Sequence, residues 1–148
     1  MTVREYLRQP LEAEERYKSR ILLLEKLRAE VSLVKGMVYN RDKVMTSPSQ
    51  TTATEHQVIE IVDLENELMN EAIELTNLRR KIIREIEGLD NERFERILVL
   101  RYVKGYNLSR ISRKMSYCYQ TIKNYHREAL KQFAELYGFE YHNELTSQ

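Results

Sequence analysis

The sequence predicts an all-α protein: a long N-terminal helical hairpin of coiled-coil character, then a C-terminal domain of short helices. Three observations carry this. Apolar residues recur at steps of three and four through two segments of roughly 30 residues each. Gly (4) and Pro (2) are scarce in a chain of 148 residues. Charged residues make up 32%, and no stretch shows the period-two alternation of a strand.

Taken in order, Met1–Gln9 reads as a short helical arm or frayed start before Pro10. Pro10 suits the first turn of a helix that continues Leu11-Glu12-Ala13-Glu14-Glu15, acidic as an N-terminus prefers. Its seam is Tyr17, Ile21, Leu24, Leu27, Val31, Val34 and Val38. About 28 residues give a rod of roughly 42 Å. A linker is expected at 40–55, where Ser47-Pro48-Ser49 stops a helix and a Ser/Thr cluster cannot form a core. A second rod is expected from about Thr54 to Glu87, with the seam Val58, Ile61, Leu64, Leu68, Ala72, Leu75, Leu78, Ile82 and Ile86. Gly88 offers a C-terminal stop, and Asp90 or Asn91 a cap. A third helix over Asn91–Lys104 turns Phe94, Ile97, Leu98 and Tyr102 inward before Gly105 ends it.

The stretch Gly105–Leu130 has the grammar of a helix-turn-helix. Asn107 or a neighbour caps a short helix whose Leu108, Ile111 and Met115 share one face. Ser116-Tyr117-Cys118 breaks the pattern. A second helix follows with Ile122, Tyr125, Ala129 and Phe133 on its buried stripe. This leaves Tyr119, Gln120, Thr121, Lys123, Asn124 and Arg127 outward, hydrogen-bonding and cationic groups that suit base edges and phosphates. The resulting organisation is residues 1–89 as hairpin and oligomerisation region, 90–137 as DNA-binding domain, and 138–148 as a polar tail.

Charge is distributed to match. Residues 91–133 hold 10 Lys/Arg and 3 Asp/Glu, a net of +7, although the whole chain is only +1. Residues 41–90 hold 6 basic and 11 acidic groups, a net of −5. The cationic surface is thus concentrated where a polyanion would dock.

The run Ile97-Leu98, Arg101-Tyr102-Val103, Gly105-Tyr106-Asn107-Leu108, Ile111, Met115-Ser116-Tyr117, Ile122, His126, Ala129-Leu130 resembles the DNA-binding region 4 of sigma-70-type factors over about residues 91–133. Within that class it looks most like the small regulators of Gram-positive phages and prophages, the group of RinA- and ArpU-type late-gene activators. That second resemblance extends more loosely over the rods and the Ser47-Pro48 linker. It implies a DNA-binding transcriptional regulator in the cytoplasm of a bacterial host. The sequence departs from the pattern at Arg110 and Ser112, where an acidic residue and an alanine are usual, and at Cys118, where a serine cap is usual.

By position, Gln120, Thr121 and Asn124 are the candidates for base contacts, and Lys123 and Arg127 for phosphate or base-edge contacts. Tyr119 is the exposed aromatic of the reading helix. Arg110, Arg113 and Lys114 are candidates to grip the backbone. The bland reading of each is a solvated surface charge. His126 could meet phosphate or pack against Tyr102 or Tyr106. Cys118 could be a redox-sensitive thiol at a helix N-terminus or a tolerated cap in a reducing cell. His56, His126 and His142 are too dispersed for a metal site, and paired carboxylates such as Glu14-Glu15 lie without a pocket. Neither a catalytic constellation nor a cofactor motif is expected, and no apolar run approaches the roughly 18 residues of a membrane span. One cysteine excludes an internal disulfide.

The expected function is sequence-specific binding of double-stranded DNA to regulate transcription of phage late genes. The expected assembly is a homo-oligomer, a dimer first, formed through the N-terminal helices. RNA polymerase is a candidate partner only, since no other sigma region is visible. Two alternatives stand beside this: a DNA-recognition subunit of phage packaging machinery, and a coiled-coil protein–protein adaptor.

Overall fold

The computed structural model describes residues 1–40 and 48–143. The linker residues 41–47 and tail residues 144–148 lie outside the described residues, as do the side chains of Val34 and Val38. The fold is all-α. The helices are α1 (Val3–Asn40), α2 (Pro48–Glu87), α3 (Glu92–Leu98), α4 (Leu108–Met115) and α5 (Tyr119–Tyr137). A π-helical turn, Val99–Val103, follows α3 directly. Among the described residues the one β-type pairing is an isolated bridge between Thr2 and Glu140. None of the described helices is long and apolar enough to cross a membrane.

Three helix boundaries differ from the sequence expectation. First, α1 starts at Val3 and runs through Pro10. A reciprocal cap fixes its start. The Thr2 N–H donates to Glu5 Oε2 (2.7 Å), and the Glu5 N–H donates to Thr2 Oγ1 (3.3 Å). The Thr2 bond also holds the Glu5 carboxyl below its ordinary range. A proline inside a helix costs about 3 kcal/mol. Here the ring is fully buried, and so are Val3 and Leu7 on the turns before it, so burial offsets the lost backbone bond. Second, α2 starts at Pro48, which shortens the expected linker. Proline is well suited to a first helical position, where its missing N–H is no loss. Third, the helix expected over Asn91–Lys104 changes winding at Val99. The Lys104 N–H reaches Val99 O (3.0 Å) and the Tyr106 N–H reaches Leu100 O (2.9 Å), wider loops than an α-helix makes. Gly105 then leaves with φ +75, a left-handed backbone that glycine takes without strain.

The chain divides into two compact units, Met1–Glu14 with Leu75–Gln148, and Glu15–Glu74. Residues 1–14 and 75–89, expected among the rods, therefore pack with the C-terminal helices.

In the unit Glu15–Glu74, Arg20 pairs with Glu67 and Glu71, and Arg28 with Glu65. The later arginine meets the earlier glutamate, so α1 and α2 run antiparallel. Leu24, Val31 and Leu68 are buried along their contact. Tyr17, Ile21, Leu27, Ile61, Leu64 and Ala72 are half-buried, and Val58 is exposed.

The other unit has two cores. One joins Val3, Tyr6 and Leu7 of α1, Ile82 and Ile86 of α2, Phe94 and Leu98 of α3, Tyr102, and Ala129, Leu130 and Phe133 of α5. The second joins Ile97, Leu100, Ile111 and Ile122. Thus α3 and the π-helical turn are apolar on two faces, one for each core. Tyr125 packs against both. Phe139 and Glu140 of the tail are tied to α1. The Val3 N–H donates to Glu140 O (3.0 Å), and the Phe139 ring stacks on Tyr6 at 4.4 Å between centroids.

Candidate nucleic-acid interface

Two short-range caps and a tight turn set the geometry of α4 and α5. Asn107 Oδ1 accepts from the Arg110 N–H (2.8 Å), satisfying a free donor at the start of α4. Ser116 ends α4 in the left-handed region (φ 59, ψ 38), and its N–H bonds Ser112 O. The Tyr117 N–H also reaches Ser112 O (3.1 Å). Cys118 stands at the N-cap of α5 with extended backbone (φ −67, ψ 154) but makes no side-chain cap. Its Sγ lies 2.9 Å from Thr121 Oγ1. That bond holds the thiol below its ordinary pKa. Ile111 and Ile122, both fully buried, lock the two helices to the second core.

With one face anchored, the opposite face of α5 is open. Tyr119, Gln120, Lys123 and Arg127 are exposed, while Thr121 and Asn124 are half-buried. The predicted reading residues are therefore not equivalent. Asn124 Oδ1 is a hub, accepting from Gln120 Nε2 (3.3 Å) and Arg127 Nη2 (3.1 Å). This chain of amide and guanidinium groups fixes three side chains along one ridge. A planar ligand edge that took the Gln120 or Arg127 donors would compete with Asn124 for them.

Arg110, Arg113 and Lys114 of α4 are all exposed. Arg110 lies flat on the Tyr106 ring, its guanidinium carbon 3.8 Å from the centroid, and Lys114 Nζ is 5.5 Å from the same ring. Stacking orients the guanidinium while leaving its N–H edges free to meet an anion. Arg101 in turn donates to Tyr106 O (3.1 Å). Arg93 sits over the Tyr117 ring (5.9 Å) and donates to Tyr125 Oη (3.5 Å). Tyr106 and Tyr117 thus act as platforms for cations, a role the sequence analysis did not give them. Tyr106 precedes α4 and its N-cap Asn107, so helical spacing does not announce its pairing with Arg110, which depends on the side-chain rotamers.

His126 is buried against Tyr102, so of its two sequence roles the structure takes packing. Among the described residues, no group of three or more His, Cys, Asp or Glu could hold a metal ion. No family model, no curated protein and no solved structure matches this chain.

Proposed function

We propose that this protein binds double-stranded DNA sequence-specifically and regulates transcription, with phage late genes as the target class. In this reading α4 and α5 form a helix-turn-helix of the sigma region 4 type, and α5 enters the major groove. One observation carries it. The exposed Tyr119, Gln120, Lys123 and Arg127, with half-buried Asn124 as the hub between Gln120 and Arg127, stand on a helix whose opposite face is buried. They lie next to three exposed cations on α4, one of them held flat on Tyr106. Amide and guanidinium groups on a rigid helix are what base-edge readout requires, and adjacent cations supply phosphate contacts. Self-association through the N-terminal helices, a dimer first, belongs to the same reading, because a two-fold pair matches two half-sites.

The test is duplex affinity as a function of salt. The logarithm of the binding constant should fall linearly with the logarithm of salt concentration. Arg110→Ala, Arg113→Ala and Lys114→Ala should each lower the slope by about 0.9. A slope near zero for the unaltered protein would overturn the reading and leave the adaptor in its place.

A further inference from the structure

The unit Glu15–Glu74 carries an apolar seam that its own fold does not use. On α2, Ile59, Val62, Met69 and Ile73 are 56%, 47%, 66% and 56% exposed. With the exposed Asn66 between them, they follow steps of 3, 4, 3 and 4. That is a heptad seam, with Ile59, Asn66 and Ile73 at a and Val62 and Met69 at d. It lies roughly 140–160° around the helix from the seam that faces α1, where Leu64 and Leu68 sit. So α2 is apolar on two nearly opposite faces, and one of them is bare.

We propose that this second seam docks on the same seam of a second copy, in parallel and in register, making a two-stranded coiled coil of α2 with its twin. The inference rests on the self-association part of the reading above and is independent of the DNA part.

Three features select this occupant. A parallel, in-register pair keeps all five layers and sets Asn66 against the partner's Asn66, where two amides satisfy each other. A polar residue at one a position is the device by which parallel dimers fix their register. An antiparallel pair keeps four layers and sets Asn66 against an apolar side chain, Val62 or Met69.

Flanking charge agrees. In the parallel register the g residues Val58, Glu65 and Ala72 face Asp63, Asn70 and Asn77 of the other copy, so no like charges oppose. One of the two antiparallel registers would set Asp63 against the partner's Asp63 and Glu65 against the partner's Glu65. Finally, β-branched Ile59 and Ile73 at a supply one half of the pattern that favours two strands, the d positions holding Val62 and Met69 where leucine would complete it. The outer face of α1 is a poorer rival, since its Leu22 and Leu33 flank Lys26 and Ala29. Docking α1 on the α2 of another copy is also a head-to-tail contact, which grows chains or rings instead of closing a dimer.

Sedimentation equilibrium on the full-length chain tests this. The unaltered protein should be a dimer. Ile73→Glu, and separately Met69→Glu, should weaken dimerisation at least tenfold while helical circular dichroism is unchanged, because both side chains are exposed in the single copy. Val62→Cys in a Cys118→Ser background should form a self-disulfide under mild oxidation, since position 62 meets its twin only in the parallel register. A monomer at all concentrations would overturn self-association and this inference together, leaving DNA binding untouched. A dimer unmoved by both glutamates would overturn this seam alone. Growth past dimer would favour the head-to-tail contact, and a dimer without the disulfide would overturn the parallel register.

Discussion

The Tyr102 hydroxyl lies 2.9 Å from His126 Nε2, with the two rings stacked at 5.7 Å between centroids. Burial of the ring pushes the His126 pKa down to about 4, helped by the positive charges of Arg4, Arg101 and Arg8. Burial also raises the Tyr102 pKa, so its hydroxyl stays protonated. The pair is therefore a neutral hydrogen bond inside a cationic surround, and it ties α5 to the π-helical turn.

This pair makes stability depend on pH. The unfolded chain takes a proton on His126 near its ordinary 6.5 and the folded chain near 4. Between those values the unfolded state binds more protons, so this contribution is full above pH 6.5 and is lost as pH falls towards 4. The total is on the order of 3 kcal/mol. Urea unfolding should show a midpoint that falls between pH 7 and pH 5. His126→Gln should flatten that part of the profile, and an unchanged profile would contradict the assignment.

Gly88 and Tyr137 form a second coupled pair. The Tyr137 hydroxyl donates to Glu85 O (2.6 Å), and a Cβ on Gly88 would fall on that hydroxyl oxygen. Gly88→Ala should therefore destabilise by about 1–2 kcal/mol. Tyr137→Phe should cost about 0.5–1.5 kcal/mol for its hydrogen bond, yet it removes the clashing atom. The double variant should be more stable than the sum of the single losses predicts, as a denaturation cycle would reveal. Strict additivity would show that the glycine is there for another reason.

The N-cap positions of α4 and α5 should respond to substitution in opposite directions. Asn107→Ala removes the bond to the Arg110 N–H and should cost about 1 kcal/mol. Cys118→Ser places a good acceptor where the backbone is already extended but the thiol makes no cap, and should raise Tm by a few degrees. A lower Tm for the serine variant would mean that the Cys118–Thr121 contact is the more stabilising arrangement.

Leu7→Ala tests the N-terminal turns. Leu7 is fully buried in the core with Leu130 and Phe133, so the variant should lose about 2–5 kcal/mol in thermal or urea unfolding. A loss below about 0.5 kcal/mol would return residues 1–9 to the frayed arm that their sequence suggests.

That expectation shows where sequence reading runs out. Strong periodicity made Leu24, Val31, Leu68, Leu75, Ile111 and Ile122 legible as inward positions, because a helix that buries one face must repeat its apolar residues. The caps Asn91 and Asn107 were legible because a short polar side chain before an apolar run has a local use. Pro10 misled because its cost is local, whereas the compensation comes from burial beside Val3 and Leu7, which share a core with distant residues such as Ile82 and Phe133. Phe139 was hidden in a polar stretch, and nothing in its neighbourhood announces Tyr6 as its partner. The winding change at Val99 satisfies two cores at once, a demand that appears only in three dimensions. On α5, the exposed Tyr119, Gln120, Lys123 and Arg127 were legible from spacing, whereas Thr121 and Asn124, also read as outward, are half-buried. The Asn124 hub and the Tyr106 platform were not legible, since each depends on rotamers.

The most direct test of the proposed function is selection of bound duplexes from a pool of host and phage genomic fragments at about physiological salt, for the unaltered protein and for Gln120→Ala/Lys123→Ala. The account predicts enrichment of one site upstream of a gene cluster, lost in the double variant while weak general affinity remains. Enrichment beside packaging genes without promoter activity would favour a packaging subunit. No enrichment by a well-folded protein, or a site kept by the double variant, would contradict readout by α5.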